Sequence, residues 1–112
     1  MKNLFDIRGR VVVVTGGAGI LGRSICVYLA GQGACVAVLD RDEKAGEALV
    51  GEIRAAGGDA LFFATDVLNR EVLVSNREAI LGAWGQIDIL LNAAGGNMGG
   101  ATIAPDKSIL DQ

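Results

Sequence analysis

The sequence predicts an α/β protein built on a doubly wound parallel sheet, with helices on both faces. Three observations carry that prediction. Four short apolar runs alternate with three amphipathic stretches along the 112 residues, glycines cluster directly after the first run, and an acid ends the second. Such alternation, joined by right-handed crossovers, gives a parallel sheet with strands in the spatial order 3-2-1-4. This is the first half of a Rossmann-type fold.

The first run is Val11 to Val14, which stops at Thr15. Four consecutive β-branched residues are stiff at χ1 and suit a strand buried on both faces. Gly16, Gly17, Gly19 and Gly22 follow within seven residues. Gly17, Gly19 and Gly22 fit G-x-G-x-x-G, in which the first glycine permits a sharp turn and the second lets backbone approach a pyrophosphate. The third lets helix pack closely on strand. A helix beginning here offers unpaired N–H groups and a partial positive charge to an anion. The alternative is a purely structural strand-to-helix turn. Ahead of this run, Leu4, Phe5 and Ile7 are expected to pack beside the first strand.

Leu21, Ile25 and Leu29 recur at helical spacing, with Ala30 beside them, up to Gly31-Gln32-Gly33. They predict one amphipathic helix with a glycine exit. Tyr28 lies inside it and is followed four positions later by Gln32, so it reads as a partly buried packing residue. Cys35 to Asp40 is the second buried strand, and Asp40 falls 18 residues after Gly22, near the spacing of the dinucleotide fingerprint. A carboxylate there accepts hydrogen bonds from both hydroxyls of an adenosine ribose and repels a 2′-phosphate, so NAD is favoured over NADP. A helix-capping or solvated acid is the alternative for Asp40. Arg41 has two open readings, stacking on adenine or pairing with a 2′-phosphate.

Asp42 to Ala56 places Ala45, Leu49, Ile53 and Ala56 on one stripe of a surface helix that Gly57-Gly58 ends. Ala60 to Thr65 is a third strand, followed by Asp66-Val67. Asp66 stands where ligands of open α/β sheets collect, so it is a candidate for contact with adenine, against a plain turn-forming acid. Asn69 can cap a helix running to Trp84, with Leu73, Ile80 and Trp84 on one face, Val72, Ala79 and Ala83 on its flank, and Gly85 as terminator. Ile87 to Leu91 is the fourth strand and runs into Asn92-Ala93-Ala94-Gly95-Gly96, small residues that let a planar ring approach backbone. The remainder, through Gln112, reads as a mobile loop at the ligand mouth.

Composition narrows the function. With 51% hydrophobic and 21% charged residues the chain has ample core material. A formal net charge of −3 supplies no basic patch for nucleic acid or an anionic membrane. No apolar run approaches the roughly 18 residues of a membrane span, and Met1 to Arg10 lacks the apolar centre of a signal peptide, so a cytoplasmic setting is expected. Cys26 and Cys35 lack C-x-x-C spacing and read as two reduced, mostly buried thiols; no metal site is expected. Histidine is absent, which removes Ser-His-Asp and Cys-His catalysis.

Four separated features, Thr15 to Gly22, Asp40, Asp66-Val67 and Asn92-Ala93-Ala94-Gly95, together resemble the short-chain dehydrogenase/reductase family, over residues from about 8 to 96. The resemblance implies that Gly16, Gly17, Ile20 and Gly22 approach the pyrophosphate and that Asp40 meets the adenosine ribose; Gly19, Leu21 and Arg41 beside them complete the cofactor-binding candidates of these two turns. Asp66 and Val67 would meet the adenine, and Asn92, Ala93, Ala94 and Gly95 the strand end beside the nicotinamide ribose. Two departures stand out. The family pattern T-G-x-x-x-G-x-G would place a glycine at 20, where this chain has Ile20 with Gly19 before it, and the usual Asn-Asn-Ala-Gly is Asn92-Ala93-Ala94-Gly95. Both variants, with the following Gly-Asn, most resemble a bacterial sugar-acid subgroup such as mannonate or fructuronate oxidoreductases.

The family implies hydride transfer between a nicotinamide dinucleotide and a small alcohol or ketone in a homo-oligomeric enzyme. Its proton relay uses a Ser, a Tyr-x-x-x-Lys pair and an Asn. No lysine here has a tyrosine four residues before it, so residues 1–112 are expected to be an incomplete NAD-binding domain, inactive alone, with the fourth strand's outer edge exposed. A non-catalytic dinucleotide-binding module shares every residue of this reading. An S-adenosylmethionine-dependent methyltransferase shares the glycine turn and the acid.

Overall fold

The computed structural model describes residues 6–93 and 103–104. Strand β1 (Val11–Thr15) leads into helix α1 (Ile20–Gly31), then β2 (Cys35–Asp40), α2 (Glu43–Ala55), β3 (Asp59–Ala64), α3 (Arg70–Trp84), β4 (Ile89–Asn92) and the two-residue β5 (Ile103–Ala104). One sheet holds them in the order β3-β2-β1-β4-β5. The first four are parallel, with Val11 opposite Cys35, Val12 opposite Ile89 and Asp40 opposite Ala64. The expected 3-2-1-4 order is present, and no described helix is long and apolar enough to cross a membrane.

The outer edge of β4, expected to be open, is paired. Leu90 and Leu91 stand opposite Ala104 and Ile103 in an antiparallel ladder, which satisfies backbone groups that an edge strand would leave to solvent. The stretch after Gly96, expected as loop throughout, therefore contributes a strand at 103–104. Its other residues lie outside the described ones, as do Leu4 and Phe5.

All four valines of β1 are buried because the strand is covered on both faces and its side chains alternate between them. Val12 and Val14 join Val36, Val38 and Ala60 beneath α1 and α2. Val11 and Val13 join Ala37, Leu39, Ile80 and Ile87 beneath α3.

The buried face of α1 is Gly22, Cys26 and Ala30, which corrects the expected Leu21-Ile25-Leu29 stripe. Leu21 is exposed, Leu29 only packs against the core's margin, and Tyr28, expected as partly buried, is 65% exposed. The reason is distance. Gly17 and Gly22 let the helix start lie directly against the turn and β2, and only small side chains fit beneath it.

In α2 the buried face is Gly46, Leu49, Val50 and Ile53 in place of Ala45 and Ala56. Asp42 caps this helix, its Oδ1 accepting from the Ala45 N–H at 3.0 Å. At the other end the Gly57 N–H donates to the Arg54 carbonyl and the Gly58 N–H to the Ile53 carbonyl, both at 2.9 Å, with Gly57 at φ +90°. That is a Schellman stop. Asn69 caps α3 by accepting from the Val72 N–H at 3.1 Å, and Gly85 at φ +78° ends it. Trp84 packs against the second core cluster and donates its indole N–H to Asp59 at 3.1 Å.

Cys26 is fully buried, and burial pushes its thiol up to about 12 from an ordinary value of 9. The unfolded chain therefore gives up this proton first as pH rises. The contribution to stability is complete below about pH 9 and is lost above it, by about 1.4 kcal/mol per pH unit until about pH 12. Urea unfolding at pH 8, 9 and 10 is expected to show a steeper loss for the wild type than for Cys26→Ala. Parallel losses in the two proteins would refute it.

Candidate functional site

The carboxyl ends of β1, β2 and β3 meet around one cleft, and each wall follows from local sequence. After Thr15 the chain turns at Gly16, whose φ of +70° is a left-handed value that disfavours residues with a side chain. Its N–H donates to the Leu39 carbonyl at 2.7 Å, and its own carbonyl accepts the Gly19 N–H at 3.2 Å. Gly19 is the N-cap of α1 and brings no side chain to the helix end, and the first turn holds no acid. The Ile20, Leu21 and Gly22 N–H groups precede the first intrahelical bond, from the Arg23 N–H to the Gly19 carbonyl at 2.7 Å. A helix start whose first N–H groups have no partner among the described residues, with a positive dipole end and no acid in its first turn, suits an anion.

Asp40, ending β2, faces this turn. Its Oδ2 accepts the Ala18 N–H and its Oδ1 the Asp42 N–H, each at 3.0 Å. The carboxylate thus ties the glycine turn to the entry of α2, and each oxygen keeps lone-pair capacity for a further donor. A carboxylate fixed by two backbone donors is preorganised to accept hydroxyl groups.

The cleft encloses about 340 Å³. Gly16 and Gly19 form one side, Leu39, Asp40 and Arg41 the end of β2, Thr65 and Val67 the chain after β3, and Ala93 the chain after β4. Six of the residues singled out in the sequence, Gly16, Gly19, Asp40, Arg41, Val67 and Ala93, therefore meet here.

The other described ones are not among the cleft's lining residues. Gly17 and Gly22 stand behind the turn as contacts between helix and sheet: a Cβ on Gly17 would lie 3.0 Å from Val38 Cγ1, and one on Gly22 would lie 2.7 Å from Gly17 Cα. Ile20 is 93% exposed at the helix start, with Leu21 beside it. Asp66 shapes the turn before α3, its Oδ1 accepting from the Leu68 N–H at 3.0 Å and its carbonyl from the Asn69 N–H at 2.9 Å. Asn92 accepts the Thr15 hydroxyl at 3.0 Å, which joins the ends of β1 and β4. Ala94 and Gly95 lie outside the described residues.

Sequence reasoning missed Leu39 and Thr65 as walls of the cleft, and Asn76 behind Thr65. The available signal was Asn76 itself, a polar residue inside the apolar stripe of α3 between Leu73 and Ile80.

A parallel sheet with a glycine turn, an uncapped helix start and an acidic strand end around one cleft defines a Rossmann-type α/β protein with its ligand cleft at the strands' carboxyl ends. Residues 10–111 match the family model for short chain dehydrogenase. The chain belongs to the short-chain dehydrogenase family.

Among curated relatives it is 46% identical over 92 residues to the uncharacterized oxidoreductase UxuB of Bacillus subtilis (strain 168), a match covering 82% of this chain and 33% of the relative. It is 37% identical over 111 residues to cyclohexanol dehydrogenase of Rhodococcus sp. (strain TK6), covering 88% and 41%. Among solved structures, a protein from Haemophilus influenza assigned as a D-mannonate oxidoreductase, with NAD bound, superposes with a TM-score of 0.78 at 34% identity, over 82% of this chain and 33% of that one. A metagenomic short-chain oxidoreductase in complex with NADP gives 0.71 at 34% identity, over 76% and 38%. The matches thus span about a third to two-fifths of the length of these relatives.

Proposed function

We propose that this chain forms the cofactor-binding part of an NAD-dependent dehydrogenase or reductase acting on a hydroxyl or carbonyl substrate, with a sugar acid as the substrate class. The observation that carries the reading is the Asp40 carboxylate, held by two backbone N–H groups, one of them from the glycine turn, at a cleft lined by both. The residues fit a dinucleotide. Gly16 and Gly19 bring backbone without side chains, the start of α1 offers N–H donors for the pyrophosphate, and Asp40 offers acceptors for the ribose hydroxyls. A cleft of about 340 Å³ is also within the size range of small-ligand sites.

Bound there, a nicotinamide dinucleotide supplies hydride chemistry. The chain's own part is to orient and discriminate. Asp40 selects free ribose hydroxyls over a 2′-phosphate, Leu39, Thr65 and Val67 shield the base from water, and Ala93 leaves room beside β4. The single tyrosine, Tyr28, has Gln32 four positions on, so the proton relay of the reaction is assigned to residues other than those of this sequence. The sugar-acid class is supported by likeness to the Haemophilus protein and by the resemblance of the Gly19-Ile20 and Ala93-Ala94 variants to that subgroup.

The test is a calorimetric titration of the folded protein with NADH, NADPH and S-adenosylmethionine. Binding of NADH in preference to NADPH is expected. Tighter NADPH binding would overturn the cofactor choice, S-adenosylmethionine binding alone would move the protein to methyl transfer, and no binding at all would reduce the glycine stretch to a structural turn.

A further inference from the structure

Thr65 and Asn76 are the two buried polar side chains among the described residues, 3% and 7% exposed. They form a short relay: the Asn76 amide donates Nδ2–H to Thr65 Oγ1 at 2.8 Å, and the Thr65 hydroxyl donates onward to the Phe63 carbonyl at 2.7 Å. Thr65 also belongs to the cleft. It is part of its lining, and its own N–H donates to the Asp40 carbonyl at 2.8 Å. One residue therefore touches the ligand space, the end of β2 and the interior of α3.

Stability alone does not account for Asn76. Its side chain has two polar atoms, and among the described residues only Nδ2 is partnered, so burying it leaves an acceptor unsatisfied. A leucine continuing the Leu73–Ile80 stripe would remove that defect at similar volume. What the amide supplies is direction. With Oγ1 engaged by one donor and one acceptor, the Thr65 rotamer is fixed. The chain entering Asp66 and Val67 starts from a fixed point.

We propose that Asn76, which does not line the cleft, is a positioning residue for it: by locking the Thr65 hydroxyl onto the Phe63 carbonyl, it sets the wall against which the adenosine half of a dinucleotide rests. The inference depends on the dinucleotide reading above and adds a residue of α3 to that site.

The experiment compares wild type, Asn76→Leu, Thr65→Val, Thr65→Ser and the Asn76→Leu/Thr65→Val double variant. Dissociation constants for NADH and ADP-ribose are measured by calorimetry and unfolding midpoints without ligand. Asn76→Leu is expected to weaken both ligands about five-fold, the effect of one lost buried hydrogen bond, with an unchanged or raised unfolding midpoint. Thr65→Ser keeps the hydroxyl and is expected to bind within about two-fold of wild type, while Thr65→Val loses about five-fold. In the Thr65→Val background Asn76→Leu should add nothing, because the two act as one unit.

An Asn76→Leu protein that binds like wild type overturns the inference, as does a full five-fold further loss in the Thr65→Val background. If Asn76→Leu does not fold, equal affinities for Thr65→Val and Thr65→Ser overturn it. A folded wild type that binds neither ligand fails the underlying dinucleotide reading instead.

Discussion

Gly22→Ala is expected to destabilise the protein by about 3 kcal/mol, the upper part of the range for forced overpacking, and to abolish dinucleotide binding. The added Cβ would overlap the Gly16 carbonyl oxygen and stand 2.7 Å from Gly17 Cα and 2.9 Å from Gly17 C. All three atoms are backbone, so no side chain can rotate aside. Either α1 lifts from the turn, opening the face that Cys26 and Ala30 pack, or the turn at Gly16 deforms and the cleft loses one side. The control is Gly51→Ala on the exposed side of α2, where a Cβ meets nothing within 4 Å. That change is expected to stabilise by about 0.5–1 kcal/mol through helix propensity. Chemical unfolding of the three proteins decides: Gly22→Ala within 1 kcal/mol of wild type would mean the helix and turn have slack that the geometry denies.

Asp40→Ala is expected to weaken NADH binding about ten-fold or more, the range for hydrogen bonds to a charged acceptor. NADPH binding should not weaken in parallel, because the carboxylate that repels a 2′-phosphate is gone while Arg41 stays at the cleft. The variant also strands the Ala18 and Asp42 N–H groups that the carboxylate holds. Asp40→Asn separates the two effects, since an amide keeps one acceptor and shape but not charge. The expected order of NADH affinity is wild type, then Asp40→Asn, then Asp40→Ala. Equal NADH affinity in all three would remove Asp40 from the site and leave it as a brace between turn and helix.

Much of this architecture is legible in the sequence because β-branched runs and turn residues act locally. Val11 to Val14 and Cys35 to Asp40 define their strands on composition alone, and Asn69 and Gly57-Gly58 mark helix ends by their own hydrogen bonds. The spacing from Gly22 to Asp40 anticipated a meeting of turn and acid that the Ala18–Asp40 bond makes at 3.0 Å.

The face of α1 was not legible by apolar periodicity, which weights large side chains, whereas the helix approaches the sheet through Gly22, Cys26 and Ala30. The pairing of β5 escaped notice because two residues carry no period of their own. The Asn76–Thr65 bond joins α3 to the residue just past β3, 11 positions away; the polar Asn76 within an apolar stripe marks one partner, and nothing local marks the other.

The central position of β1 also governs the order of assembly. Its pairing with β2 joins Val11 to Cys35 across one helix, whereas the Thr15–Asn92 contact with β4 spans 77 residues. Closing the longer loop costs about 1 kcal/mol more chain entropy. The segment from β1 to Thr65, just past β3, holds the glycine turn and Asp40 as well, and it can gather before β4 adds Ala93. Pulse-labelling hydrogen exchange during refolding is expected to protect the Gly16 amide before the Ala93 amide, whose bond to the Thr15 carbonyl closes the sheet. The recognition half of the cleft then takes shape before its last wall arrives.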